Sequence, residues 1–411
     1  MQTSKDLQKR PVSGDRTGHR GSGGRAGALM AAVILLALLP GMRLADAGDL
    51  DSDTQSFAVA SVARQNALAL RLASGQNDNL KVHLESLRSD ACGPTSVRLS
   101  FGQTDAMDDW EKLLDDAGEA ARSKTLQSSS KADECANAAR AWTGGSVTLA
   151  NDALDGDGRY FERFESNLSA GLDARLAADL AVGMAIGGSN GDTIESDGDA
   201  RSRSAVGSFA AYASYHPSEA TFAEAALGVS RLRLSDRVDG DLDELSGDVD
   251  HGGLGGYATV AVGRVEQLGG VELSPYLKAA GQVIRLEAAR QTIGSTAYRT
   301  HSQLASSVAG TVGVDASVAL RRLPDWIAVK PKAGVEIGYS LSRQAATAIA
   351  VEAGDASGTV PGTFSTAQTL RLDVGTSIKL FDELSLDFDV ESRPIEDGRP
   401  KTLRLSSSWN F

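Results

Sequence analysis

The chain has little of what marks a soluble enzyme. Among 411 residues there are two cysteines and five histidines, and no histidine sits in an HExxH, HxH or nucleophile-elbow context. No catalytic constellation and no cofactor motif is visible, so the sequence does not read as an enzyme. Aromatic residues make up only 5% of the chain. Basic residues are outnumbered: the net charge of -13 leaves no basic face to displace phosphate counterions, which argues against nucleic acid as a partner. Long apolar runs are also missing. The one continuous run, Ala28 to Leu39, is too short to span a bilayer as a helix.

That run follows Lys5, Lys9, Arg10, Arg16, Arg20 and Arg25, and precedes Ala45-Asp46-Ala47, whose small residues at the first and third positions suit signal peptidase. Residues 1–47 therefore read as a Sec signal peptide cleaved after the Ala45/Ala47 motif, with the Sec translocon as a partner. In the oxidising compartment this implies, Cys92 and Cys135 are most simply a disulfide, since two thiols without a nearby histidine pair make a poor zinc site. Closing that loop contributes at most about 4 kcal/mol on the chain-entropy model. Residues 48–140 read as a short helical passenger or linker. Within them Asp53 to Ala73 carries Phe57, Val62, Leu68 and Leu72 among many alanines, the composition of a slim helix.

From Ala141 to Phe411 the pattern changes to segments of ten or more residues that alternate in polarity. Twelve strands are predicted, near 141–149, 161–172, 177–188, 203–215, 221–235, 253–265, 271–286, 304–320, 327–342, 368–380, 384–393 and 401–411. The alternation is plainest late in the chain. Ile327, Val329, Ala333, Val335 and Ile337 oppose Lys330, Lys332 and Glu336; Leu370, Leu372 and Val374 oppose Arg371 and Asp373, with Lys379 further along; Leu384, Leu386, Phe388 and Val390 oppose Asp387, Asp389 and Glu391. A soluble sandwich would bury the apolar file in a core, whereas a transmembrane barrel turns it to lipid and the charged file to the lumen. The connections separate the two. They alternate between short (173–176, 216–220, 266–270, 321–326, 381–383) and long or acidic (150–160, 189–202, 236–252, 287–303, 343–367, 394–400), as the two rims of a bacterial barrel do. Tyr215, Phe222, Trp326, Phe381, Trp409 and Phe411 fall beside short turns or the C-terminus and are expected to form the periplasmic aromatic girdle.

The expected fold is thus all-β: a twelve-stranded antiparallel outer-membrane β-barrel with a short, mainly helical N-terminal segment placed to plug the lumen. The Trp142-Thr143-Gly144-Gly145 opening, the strand from Phe164 to Asp173 and the terminal aromatic strand make 141–411 resemble the autotransporter translocator domain of type V secretion. The resemblance implies a C-terminal insertion signal on Arg404, Ser406, Trp409 and Phe411, with serine where the family has glycine, read by the barrel-assembly machinery. It also implies a monomer in the outer membrane of a Gram-negative bacterium, in contact with outer-membrane lipid and lipopolysaccharide, and a helix left in the pore. Two placements of that helix stay open: 53–88, or a segment nearer Cys135. The N-terminal segment then lies at the cell surface, in the pore or in the periplasm.

The leading function is a barrel that inserts itself and exports or anchors its own N-terminal segment. The alternative is a surface-exposed adhesin acting through its acidic loops. In the loop Asp236 to Asp250, seven carboxylates suggest calcium, but an EF-hand needs glycine at the sixth position and glutamate at the twelfth, and neither is present. Asp250-His251 is the nearest thing to a catalytic pair, and reads as solvated surface.

Overall fold

The structure is a computed structural model that describes residues 52–89 and, short stretches of the connections apart, 139–410. Ala45, Ala47, Cys92, Cys135 and Phe411 lie outside the described residues, as do Asp239, Asp241 and Asp243. The described part begins with one helix, α1 (Ser52–Ser89), followed by a sheet of 17 strands that closes on itself. Twelve of them build the barrel wall. These are β1 (Ala139–Ala153), β2 (Tyr160–Ala177), β3 (Leu180–Glu195), β4 (Ala200–Ser218), β5 (Thr221–Val238), β6 (Gly247–Arg264), β8 (Val271–Leu286), β11 (Gln303–Val318), β12 (Ile327–Gln344), β15 (Thr363–Leu380), β16 (Leu384–Ser392) and β17 (Lys401–Asn410). The other five are short: β7 (Glu266–Leu268), β9 (Ala289–Ile293), β10 (Thr296–Thr300), β13 (Thr347–Val351) and β14 (Ser357–Val360).

All pairings are antiparallel. The wall closes where β1 meets β17, in a register running from Arg140 opposite Asn410 to Leu149 opposite Lys401. Closure leaves no sheet edge in the wall, which a bilayer requires because lipid offers no hydrogen bonds to an orphaned backbone group. The period-2 pattern places Leu403 and Leu405 outside and Thr402 and Arg404 inside, and on β16 Phe388 and Val390 outside with Asp387, Asp389 and Glu391 inside. Exposed Leu168, Leu172, Ile186, Leu227, Val229 and Val374 continue the apolar belt around the barrel.

Several expected boundaries move. The segment 173–176 is not a turn but the end of β2, which runs to Ala177, itself paired with Leu180 at the start of β3. The 266–270 connection is mostly β7, and the reversal is Gly269-Gly270 alone, both at positive φ (61° and 93°), joining Leu268 to Val271 as a two-residue hairpin. The largest difference is at the other rim. The long connections 287–303 and 343–367 are not loops: they fold into the hairpins β9–β10 and β13–β14, which pair with each other and with β6. Together they raise one side of the barrel wall into a collar.

The girdle expectation also needs correction. Tyr215, Trp326 and Phe381 are exposed, and the last two stack at 5.5 Å. Phe222, however, points inward and is 2% exposed. The lumen holds further aromatics, Trp142, Tyr212, Tyr257 and Tyr276, each lying over a glycine of a neighbouring strand. A Cβ on Gly313 would come within 2.4 Å of the Tyr276 ring, so only glycine lets that ring lie flat on the wall.

Candidate functional site: a helix inside the barrel lumen

Helix α1 runs lengthwise through the lumen. Its first half lies in the collar: Ala58 and Val62 pack on Tyr298, Ile349 and Val360. A turn or two later Arg64 donates to Asp236 at 2.8 Å, and Leu68, Ala69, Leu72 and Ala73 pack against Val206, Leu232, Leu234, Ile284, Leu286 and Ala305. Its last turns lie at the short-turn rim, where Leu80, Leu84 and Leu87 meet Trp142, Tyr212 and Tyr257. The alanines make this possible. An α-helix with full side chains is about 10 to 12 Å across, and small residues keep the backbone near the wall. Ala69 is fully buried, and a Cβ on Gly75 would clash with Asn167.

The second half of α1 carries its charge in a stripe. Asp78, Lys81, Glu85 and Arg88 are spaced three, four and three residues apart, which puts them on one face of a helix. That stripe meets the charged file of the wall. Lys81 bonds Glu336 at 2.7 Å and lies 3.4 Å from Glu85, while Lys278 takes the other oxygen of Glu336 at 2.6 Å. Asp78 lies 3.0 Å from Arg393 and 3.7 Å from Arg404. Arg88 forms a two-toothed bond with Glu224, at 2.6 and 2.7 Å, and reaches Asp315 at 3.2 Å, with its guanidinium 4.0 Å above the Phe222 ring. That cation–π contact gives Phe222 its place inside the lumen. On the opposite side His83 bonds Asp173 at 2.7 Å and stacks on Trp142 at 4.3 Å, while Tyr212 donates to Asp173 and accepts from the Trp142 indole.

The residues singled out from the sequence lie on inward files. Lys330 pairs with Glu272, and Lys332 with Asp389 at 3.0 Å and Asp387 at 3.5 Å. Arg371 sits between Glu391 at 2.8 Å and Asp373 at 3.6 Å, and Lys379 continues its file toward the short-turn rim. Arg404 bonds Glu391, a fully buried carboxylate that also accepts from Arg393 and forms an ion pair with Arg371. Ser406 also faces inward and Trp409 outward. Sequence reading placed Glu391 on the inward file with Asp387 and Asp389, but did not single out Lys278, Glu224, Asp315, Asp173 or the helix stripe itself. The three-four-three spacing of the stripe was the available signal; the wall partners are separated from it by up to 326 residues, from Asp78 to Arg404, and follow only from the register.

The helix is off-centre. It lies along β1–β6, β8 and β11, and a crevice of about 770 Å³ remains on the other side, lined by Arg71, Asp78, Ser340, Ser342, Arg393 and Arg404. At the outer end, Asp236 belongs to β5 and is bound by Arg64 and Ser202 rather than projecting in a loop. Asp250 is exposed while His251 is buried, because successive residues of β6 point to opposite faces, so the two form no dyad.

Comparison with known proteins agrees with this geometry. Characterised protein sequences give no match. Among solved structures, the translocator domain of the autotransporter NalP from Neisseria meningitidis superposes with a TM-score of 0.53 at 12% identity, over 73% of this chain and 98% of that one. The β-domain of the Bordetella autotransporter Brka gives 0.49 at 15% identity, over 67% of this chain and all of its own. The autotransporter β-domain family model matches residues 141–391. With more than half of its length matched and a closed twelve-strand barrel around an N-terminal helix, the chain belongs to the autotransporter β-domain family of outer-membrane barrels.

Proposed function

We propose that this barrel exports its own N-terminal segment and then keeps α1 as plug and anchor. The observation that carries the reading is the direction of α1: Ala58 is at the collar and Arg88 at the rim of short turns, which in bacterial barrels faces the periplasm. On this reading residues 1–47 are removed as a signal peptide after Sec transport. Residues that precede α1 emerge at the cell surface. Ser89 and Ala139 both reach the periplasmic rim, so the segment between them, with a Cys92–Cys135 disulfide, remains in the periplasm. The barrel-assembly machinery reads the terminal strand through Arg404, Ser406, Trp409 and Phe411. No residue of the lumen is assigned a catalytic part. Its charged file, from Lys330 to Arg404, holds the plug and solvates the pore.

The test is an epitope inserted after Asp51, probed with antibody on intact and permeabilised cells. Labelling of intact cells is expected. Labelling only after permeabilisation would mean that the N-terminus never crosses, and would leave a plugged barrel that displays only its collar. A second reading is adhesion through the outer rim: the acidic connections 189–202 and 236–252 are largely taken up by β3, β4, β5 and β6, and the hairpins β9–β10 and β13–β14 form the raised part of that rim. Shortening both hairpins while the barrel still folds should abolish cell attachment if this reading holds.

A further inference from the structure

The outward face of β4, β5, β6 and β8 departs from the rest of the wall. On β5, Leu227, Val229, Arg231 and Arg233 share the outward file, and the register sets Gly207 beside Arg231 and Ala205 beside Arg233. Arg203 points outward two residues further along β4. These three arginines line one groove of about 880 Å³ below the outer rim. Among the described residues none of them forms an ion pair, whereas Arg201 beside them is already bonded to Asp192. Asp250 and Glu287 line the groove on its β6–β8 side, so its basic character is confined to β4 and β5. In a chain of net charge -13, three outward arginines with no ion pair among the described residues, at the edge of an apolar face, carry a desolvation cost that a bound anion would offset.

Directly toward the membrane centre lies a second groove of about 550 Å³, lined by Phe209, Leu227, Val229, Gly256, Gly281 and Val283. Its glycines leave a dent in an otherwise even apolar wall. Arg231 follows Val229 by two residues on the same file, roughly 7 Å along the strand. An apolar dent under a cationic shelf matches an amphiphile whose acyl chains sit beneath a doubly charged phosphorylated head.

We propose that this face is a binding site for a phosphorylated glycolipid of the outer leaflet, with acyl chains in the dent and its phosphates held by Arg203, Arg231 and Arg233. Arginine suits the task because its planar fork bonds two phosphate oxygens at once. The site depends on the barrel's place in the outer membrane and not on export of the N-terminal segment. The shelf continues around the barrel only as far as Arg285, which lies across Leu254 from Arg231. On the opposite arc β15 turns Phe364, Thr366, Gln368, Leu370 and Leu372 outward, with no charge among them.

The experiment uses the full chain folded in detergent, with bound bisphosphorylated lipid A measured by native mass spectrometry. Dephosphorylated lipid A, phosphatidylglycerol and inorganic phosphate are run in parallel. Expected for the combined R203Q/R231Q/R233Q variant is binding at least about tenfold weaker, with heat-resistant electrophoretic migration showing that the barrel is intact. Lipid A without phosphates should bind the unmodified protein as weakly. A variant that binds like the unmodified chain overturns the proposal. So does equal binding of phosphatidylglycerol, which would make the face a general anionic-lipid patch, or saturation by inorganic phosphate alone. If the variant does not fold, the unmodified protein still decides the matter. Raising salt should weaken binding of the bisphosphorylated form and leave the dephosphorylated form unchanged, and equal salt dependence of the two would overturn the proposal.

Discussion

The two halves of α1 are held in different ways. From Ala58 to Ala73 the helix is seated mainly by apolar contact with the collar and the upper wall, with Arg64 bonded to Asp236. From Asp78 to Arg88 it keeps an apolar side against Trp142, Tyr212 and Tyr257, while its charged stripe is bonded to Glu336, Arg393, Glu224 and Asp315. Apolar contact is nearly indifferent to sliding by a fraction of a turn, but a two-toothed arginine bond is not. The outer half therefore fills the pore, and the inner half fixes the register at which filling stops.

Removing the helix altogether tests both halves at once and should have the largest effect. A protein lacking residues 52–88 is expected to show higher single-channel conductance in planar bilayers, and an unchanged value would mean that α1 does not obstruct the lumen. Next comes the inner half. Arg88→Ala strips the partner from Glu224 and Asp315 in a buried site, which should weaken seating of the helix by about 3 to 5 kcal/mol. Denaturant titration of a fluorophore on α1 would read that loss, and Arg88→Lys, which keeps the charge without the fork, should recover only part of it. In the outer half the comparable probe is Ala69→Leu. The site is fully buried, so the added carbons should cost about 1 to 3 kcal/mol and displace the collar end of the helix before the rim end. Cysteine labelling along α1 that loosened first near Arg88 would reverse the comparison.

The smallest effect belongs to the collar surface. Arg290 and Glu352 are bonded to each other, and that hydrogen bond holds the Glu352 carboxyl below its usual range. Whatever stability the pair adds is present above about pH 4.3, the ordinary glutamate value, and is lost as the pH falls through the lowered one. Because the Arg290 side chain is exposed to solvent, which screens the pair, Arg290→Ala should leave amide exchange in β9 and β10 unchanged.

The sequence carried the barrel well because alternation is local. The opposition of Ile337 to Glu336, or of Phe388 to Asp387 and Asp389, needs no knowledge of neighbours, and the same alternation lies behind the closed sheet. Whatever depends on register stayed hidden. Phe222 read as a girdle residue because it follows a short turn, and only its pairing across from Gly263 and its contact with Arg88 turn it inward. Segments 287–303 and 343–367 read as loops because their strands are only four or five residues long, and these are held mainly by pairing with one another. In the helix the charged stripe was legible as a stripe. Its partners, brought in from β5, β11, β12 and the end of β16, were not.

The off-centre seating of α1 bears on how the cell tolerates many copies of such a barrel. A helix on the pore axis would leave a thin annulus, and a helix pressed to one wall leaves a single crescent. The crevice of about 770 Å³ beside α1 corresponds to the liquid volume of about 25 water molecules. Lined by Arg71, Asp78, Arg393 and Arg404, it favours small hydrated ions over apolar or bulky solutes. With α1 seated, this polar crevice offers apolar or bulky solutes neither the room nor the surface they would need.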